Sequence, residues 1–179
     1  MHDQSLEPRR QWVEESDIDA PPLIQVRRAW DGWRDDAAMP AWSIDRLLGI
    51  EPSLLPYTAV VGTSANAEAY RYVFWGTGLT TVFGKDFTRE APTLLHRYPK
   101  YDGRSTGYER VFQQARPLYL VTEFVGRTEN IGRQLCVRLP FGQGDVVDHV
   151  ISVALFSGAN AGVHWNDQQV IDLLAERLN

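Results

Sequence analysis

The chain has 179 residues, 44% of them hydrophobic and 23% charged. These are ordinary globular values, enough for one domain with a proper core and short for two. A net charge of −5 argues against a surface that tracks phosphates, since nucleic-acid binders gather Lys and Arg into a patch, so no nucleic-acid partner is expected. Cys136 is alone, which rules out an internal disulfide and points to an intracellular chain. No apolar run nears the roughly 20 residues that span a bilayer, so a cytoplasmic protein without a membrane partner is expected.

Along the chain, residues 1–21 carry Asp3, Glu7, Glu14, Glu15, Asp17 and Asp19 with few apolar partners and read as a flexible acidic leader. After Pro21-Pro22, Leu23, Val26, Trp30 and Trp33 recur at helical spacing with Arg27, Arg28 and Asp31 opposite, an amphipathic helix of about 13 residues. Pro40, Pro52 and Pro56 break the pattern and leave an ordered connector with one helical turn near Ser53-Leu54-Leu55. A strand over Tyr57–Val61, a polar turn over Ser64–Glu68 and a second strand over Tyr70–Trp75 follow as a hairpin. In the second arm, alternation turns Tyr70, Tyr72 and Phe74 one way and Arg71, Val73 and Trp75 the other.

Gly76, Gly78 and Gly84 bracket a short helix with Leu79, Val82 and Phe83, and a further helix is expected over about 91–97. Tyr108, Val111, Phe112 and Ala115 form the stripe of a longer helix that Pro117 ends. Three strands come next, Leu118–Val125, Arg133–Pro140 and Val146–Phe156, the last two joined by a turn over Gly142–Asp145. A terminal amphipathic helix is expected over Asn166–Leu178. Strands on either side of a helical insert indicate an α+β domain with an antiparallel sheet and helices on one face.

Trp30-Asp31-Gly32-Trp33-Arg34, then Pro40 and Asp45, then Tyr70-Arg71-Tyr72-Val73-Phe74 with Gly76-Thr77, and finally Phe83-Gly84-Lys85-Asp86-Phe87-Thr88 together resemble a bacterial subfamily of PAS domains. The resemblance spans about residues 24–157, with Arg89 standing where that subfamily often has Gly. It implies a PAS-like five-stranded sheet in the order 2-1-5-4-3, a pocket between sheet and helical insert, and a sensory or dimerising role. Residues 22–160 would form that domain, including its leading helix, with residues 161–179 as a C-terminal helix.

No pair among His2, His96, His149 and His164 has metal-ligand spacing, so no metal is expected. His96 falls where haem-binding PAS domains carry an axial ligand, but an ordinary helix residue is preferred. Cys136 sits in a strand, unlike the reactive Cys of flavin photoreceptors, and core filler is its preferred role. Neither haem nor flavin is supported as a cofactor. Gly76-Thr77-Gly78 lacks the third glycine of a dinucleotide fingerprint, and Gly62-Thr63-Ser64 lacks the rest of a nucleophile elbow.

Aromatic residues are the informative excess, consistent with either a lined pocket or a dry core. Tyr72, Phe74, Phe83, His96, Tyr101, Phe112, Phe124, Cys136 and Arg138 are the candidates to line a pocket. Trp30 and Trp33 read as an anchor of the leading helix on the sheet, with a dimer contact as the alternative, and Arg34 as a partner of Asp45 or of a carbonyl. The leading reading is a non-enzymatic sensory domain that binds a small molecule or a protein partner and signals through dimerisation or its terminal helices. Two alternatives stand beside it: a small hydrolase or isomerase with Asp45 or His96 as general base, and a structural dimer module with a filled core.

Overall fold

A computed structural model describes residues 10–63, 70–92, 107–125 and 131–157. Six strands form one antiparallel sheet: β1 (Arg10–Val13), β2 (Thr58–Thr63), β3 (Tyr70–Trp75), β4 (Leu118–Val125), β5 (Ile131–Gln143) and β6 (Val146–Ser157), in the order β1-β4-β5-β6-β2-β3. From β2 to β6 this is the order implied by the PAS resemblance, and the fold is PAS-like α+β. The sixth strand is the unexpected one. Residues 10–13, read as part of a flexible leader, pair with β4 from Arg10↔Thr122 to Val13↔Tyr119, and a turn of 3-10 helix follows at Glu15–Asp17. Only Trp12 and Val13 offer apolar side chains there, too short a run to stand out from the acidic residues around it.

The hairpin β5–β6 is the backbone of the sheet. Its two-residue turn, Gly144-Asp145, holds Gly144 at φ 58°, the positive φ that tight hairpin turns demand. Both faces of this hairpin are buried: Leu135, Val137, Leu139 and Phe141 lie on one side of β5, and Cys136 and Arg138 on the other. Such a strand shows no clean polar alternation, because neither side meets water.

The helix α1 (Pro21–Arg34) covers the first of these faces. Two prolines in its first turn suit positions whose N–H groups have no helical acceptor, and Leu23, Val26 and Trp30 form its buried stripe. Trp30, 2% exposed, donates Nε1–H to the Pro140 carbonyl at 2.7 Å. Trp33 leans on Phe141 with ring centres 6.3 Å apart. Arg27 pairs with Asp31 and Glu15. Arg34 pairs with Asp31 at 3.2 Å and donates to the Ala37 carbonyl at 2.9 Å. Of the two partners expected for Arg34, a carbonyl is the one met, at Ala37, while Asp31, one helical turn away, takes the place of Asp45.

The connector presses on the same face. The helix α2 (Ile44–Leu48) is capped by Ser43 Oγ, which accepts from the Arg46 amide. Trp42 stacks on His149 of β6 at 4.6 Å, and the Gly142 amide donates to the Pro40 carbonyl at 3.0 Å. Two shorter helices, α3 (Thr77–Phe83) and α4 (Tyr108–Gln114), cover the opposite face. The expected helix over 91–97 and the terminal helix from Asn166 fall almost wholly or wholly outside the described residues. Among the described residues, no helix is long and apolar enough to cross a membrane.

Trp30→Phe keeps a large apolar ring but orphans the Pro140 carbonyl, and is expected to cost about 1–2 kcal/mol in urea unfolding. Asp31 gives a pH-dependent counterpart. Its hydrogen bond from Arg27 holds its carboxyl below the ordinary range, so its stabilisation is complete above the unfolded-state pKa near ~3.9 and is lost as pH falls through the lower folded value. Screened at a half-exposed site, it amounts to about 0.5 kcal/mol. The wild type should exceed Asp31→Asn by that margin in urea unfolding at neutral pH, and the gap should close under strong acid.

Candidate functional site

Between the sheet and the helices α3 and α4 lies a partly open cavity of about 70 Å³. A register irregularity decides which residues of β3 reach it. Val60 pairs with Phe74 and Val61 with Tyr72, so Val73 is an extra residue with no partner on β2. This bulge puts Tyr72 and Trp75 on the same side, with rings edge to face at 4.8 Å. Simple alternation placed Phe74 beside Tyr72 and sent Trp75 away. The bulge reverses both: Trp75 lines the cavity, and Phe74, opposite Val60, turns to the other face.

The floor comes from alternate positions of the central strands: Gln134, Cys136 and Arg138 of β5, Ser152 and Ala154 of β6, and Ala59 of β2. Register sets Cys136 opposite Ala154 and Arg138 opposite Ser152, pairing each larger side chain with a small one and so leaving room above the sheet. Leu79 and Phe83 of α3, Tyr108 of α4 and Tyr57 close the walls. Gly76 positions α3. Its amide donates to the Thr58 carbonyl at 2.9 Å, and a Cβ there would sit 2.2 Å from the Pro56 carbonyl oxygen.

Arg138 dominates the electrostatics. It is 7% exposed, and its guanidinium lies 4.0 Å from the centre of the Tyr108 ring, a favourable arrangement of cation and π face. Burial opposes its charge, yet its pKa lies above the ordinary arginine value, because Tyr108, Cys136 and Tyr72 in their ionised forms favour the cation beside them. Burial also drives the phenols of Tyr72 and Tyr108 upward, so both remain protonated at neutral pH. Trp75 Nε1, buried, makes no hydrogen bond.

Of the pocket residues expected from the sequence, Tyr72, Phe83, Cys136 and Arg138 are brought together in this lining. Cys136, preferred as core filler, stands in the wall. Phe74 does not line it, nor does Phe112, which stacks on Tyr70 at 4.1 Å instead. His96 and Tyr101 lie outside the described residues, as does the side chain of Phe124. Asp45 is exposed in the first turn of α2, on the α1 side of the sheet, which removes it as a general base at this cavity. Missed in the sequence were Tyr57, Ala59, Trp75, Leu79, Tyr108, Gln134, Ser152 and Ala154. For Gln134 and Ser152 the signal was present, a polar residue in step with Cys136 and Arg138 or opposite them in an otherwise apolar strand. Among the described residues, no cluster of His, Cys, Asp and Glu could hold a metal ion.

No protein-family model matches the chain, and no curated protein does. Among solved structures, it is similar to one described as an RNA-binding Light-Oxygen-Voltage receptor, at 13% identity and a TM-score of 0.46. The match covers 95% of this chain but 43% of that one. At that distance no ligand or partner carries over. The exclusion of nucleic-acid partners is withdrawn, since it rested only on a net charge of −5. Net charge sums the whole surface and does not bar a local basic face.

Gly76→Ala tests how α3 is set over the cavity. Its methyl meets backbone that cannot move alone, and the substitution is expected to destabilise by about 2–3 kcal/mol in urea unfolding.

Proposed function

We propose that this chain is a PAS-type sensory domain, of the bacterial kind with a Trp-x-x-Trp-Arg leading helix, that binds a small molecule between its sheet and the helices α3 and α4. The observation that supports it is the cavity: an aromatic wall with a few converging polar groups, Arg138, Tyr72, Tyr108 and Trp75, which is the makeup of small-molecule sites. Its volume suits several waters or a compact ligand of few heavy atoms, below the few hundred Å³ of drug-sized sites.

A route outward is built into β5. Its residues alternate between the cavity floor, through Cys136 and Arg138, and the face under α1, through Leu139 and Phe141. A ligand that favours one setting of β5 over another shifts the population of both at once, and α1 follows because Trp30 is bonded to Pro140 of the same strand. The response then leaves through the leading helix and the chain beyond it, to a second copy or another partner.

Native mass spectrometry of the purified protein tests the reading. The wild type should carry a small noncovalent adduct, or gain one from a metabolite panel, and Ala154→Leu, which fills the cavity from its floor, should lose it. Ala154→Leu should retain its circular dichroism spectrum, since the added carbons enter existing space. A wild type that holds no adduct, and whose Tm no compound raises, would overturn the proposal.

A further inference from the structure

The chemistry of the wall narrows the occupant, an inference that rests on the ligand-binding reading above. Two lining side chains can only donate hydrogen bonds, the Arg138 guanidinium and the Trp75 indole. The indole donor is buried without an acceptor, and buried polar groups are ordinarily satisfied by protein, water or ligand. Tyr72 and Tyr108 are hydrogen-bonded to each other and kept protonated by burial, so neither presents an anionic oxygen. No Asp or Glu is among the described lining residues, so none of those residues only accepts. A cationic or donor-rich ligand would therefore meet positive charge and competing donors, whereas an acceptor-rich anion meets complementary groups in Arg138 and the Trp75 indole.

We infer that the cavity takes a small oxyanion of the carboxylate class, with its charge toward Arg138 and an oxygen toward the Trp75 indole. At about 70 Å³ the space matches a short-chain carboxylate or an inorganic oxyanion of similar size. The aromatic rings on either side lower the local dielectric, which strengthens a charge-assisted hydrogen bond made inside.

The test uses acetate, nitrate and the neutral isostere acetamide, titrated against the full chain by calorimetry with potassium chloride holding the ionic strength. Acetate or nitrate should bind at one per chain and raise Tm, and acetamide should bind at least about tenfold more weakly, the loss expected when a charge-assisted contact becomes neutral. Arg138→Gln should abolish anion binding. Because removing a buried guanidinium can unfold the chain, Trp75→Phe carries the decisive comparison: it keeps the ring, deletes the donor, and should weaken acetate several-fold with the fold intact. Acetamide binding as well as acetate, or Trp75→Phe binding acetate unchanged, overturns the anion assignment while leaving a ligand-binding cavity in place. Binding of none of the three probes, by a protein that also retains no adduct in native mass spectrometry, overturns the ligand-binding reading with it.

Discussion

Away from its turn, the β5–β6 hairpin is covered on both faces, and most of the architecture is an answer to that constraint. An antiparallel sheet usually leaves one face solvated. Here α1 and the connector must cover one side while α3 and α4 cover the other. The covering on the α1 side is held by directed contacts, Trp30 to Pro140, Gly142 to Pro40, and Trp42 stacked on His149. These fix angle and register in a way that apolar contact alone, being non-directional, does not. The opposite side carries short helices and aromatic rings, and it is there that the cavity lies.

That cavity exists because large and small residues are matched across strands and because β3 carries one residue too many. Ala154 and Ser152 opposite Cys136 and Arg138 leave the floor low, and the bulge at Val73 brings two aromatic rings to one rim. A regular β3 would present Tyr72 and Phe74 there and send the Trp75 indole away. The same bulge leaves Val73 itself 48% exposed, an apolar side chain displaced to the surface by a rearrangement that serves the interior.

Much of the fold was legible because its elements carry strong local signals. The period of Leu23, Val26 and Trp30 and the prolines before them mark α1. The glycines around Leu79 and Val82 mark α3, and the turn before Val146 marks the hairpin. What could not be read was long-range. β1 is a four-residue strand whose pairing with β4 depends on a partner more than a hundred positions away, and nothing local separates it from the acidic leader. The site was half legible for a related reason. Arg138 and Cys136 stand out as polar or reactive residues inside an apolar run, and their two-residue spacing places them on one side. Trp75 was misassigned because alternation assumes an unbroken ladder, and a bulge leaves no compositional mark when, as here, it contains no glycine.

Tyr72 has a second role through its backbone, which faces the open side of β3. Its amide donates to the Glu90 carbonyl at 3.0 Å and its carbonyl accepts from the Arg89 amide at 2.7 Å. Arg89, at φ 71°, takes a left-handed conformation that glycine adopts more readily, and the Arg71 guanidinium donates to its carbonyl. The centre of an edge strand, normally a template on which another chain can grow a sheet, is thus already occupied by the molecule's own loop. An arginine at this bend also sets charge where an incoming strand would lie, so the residue that departs from the subfamily pattern the sequence resembles helps keep the sheet finite.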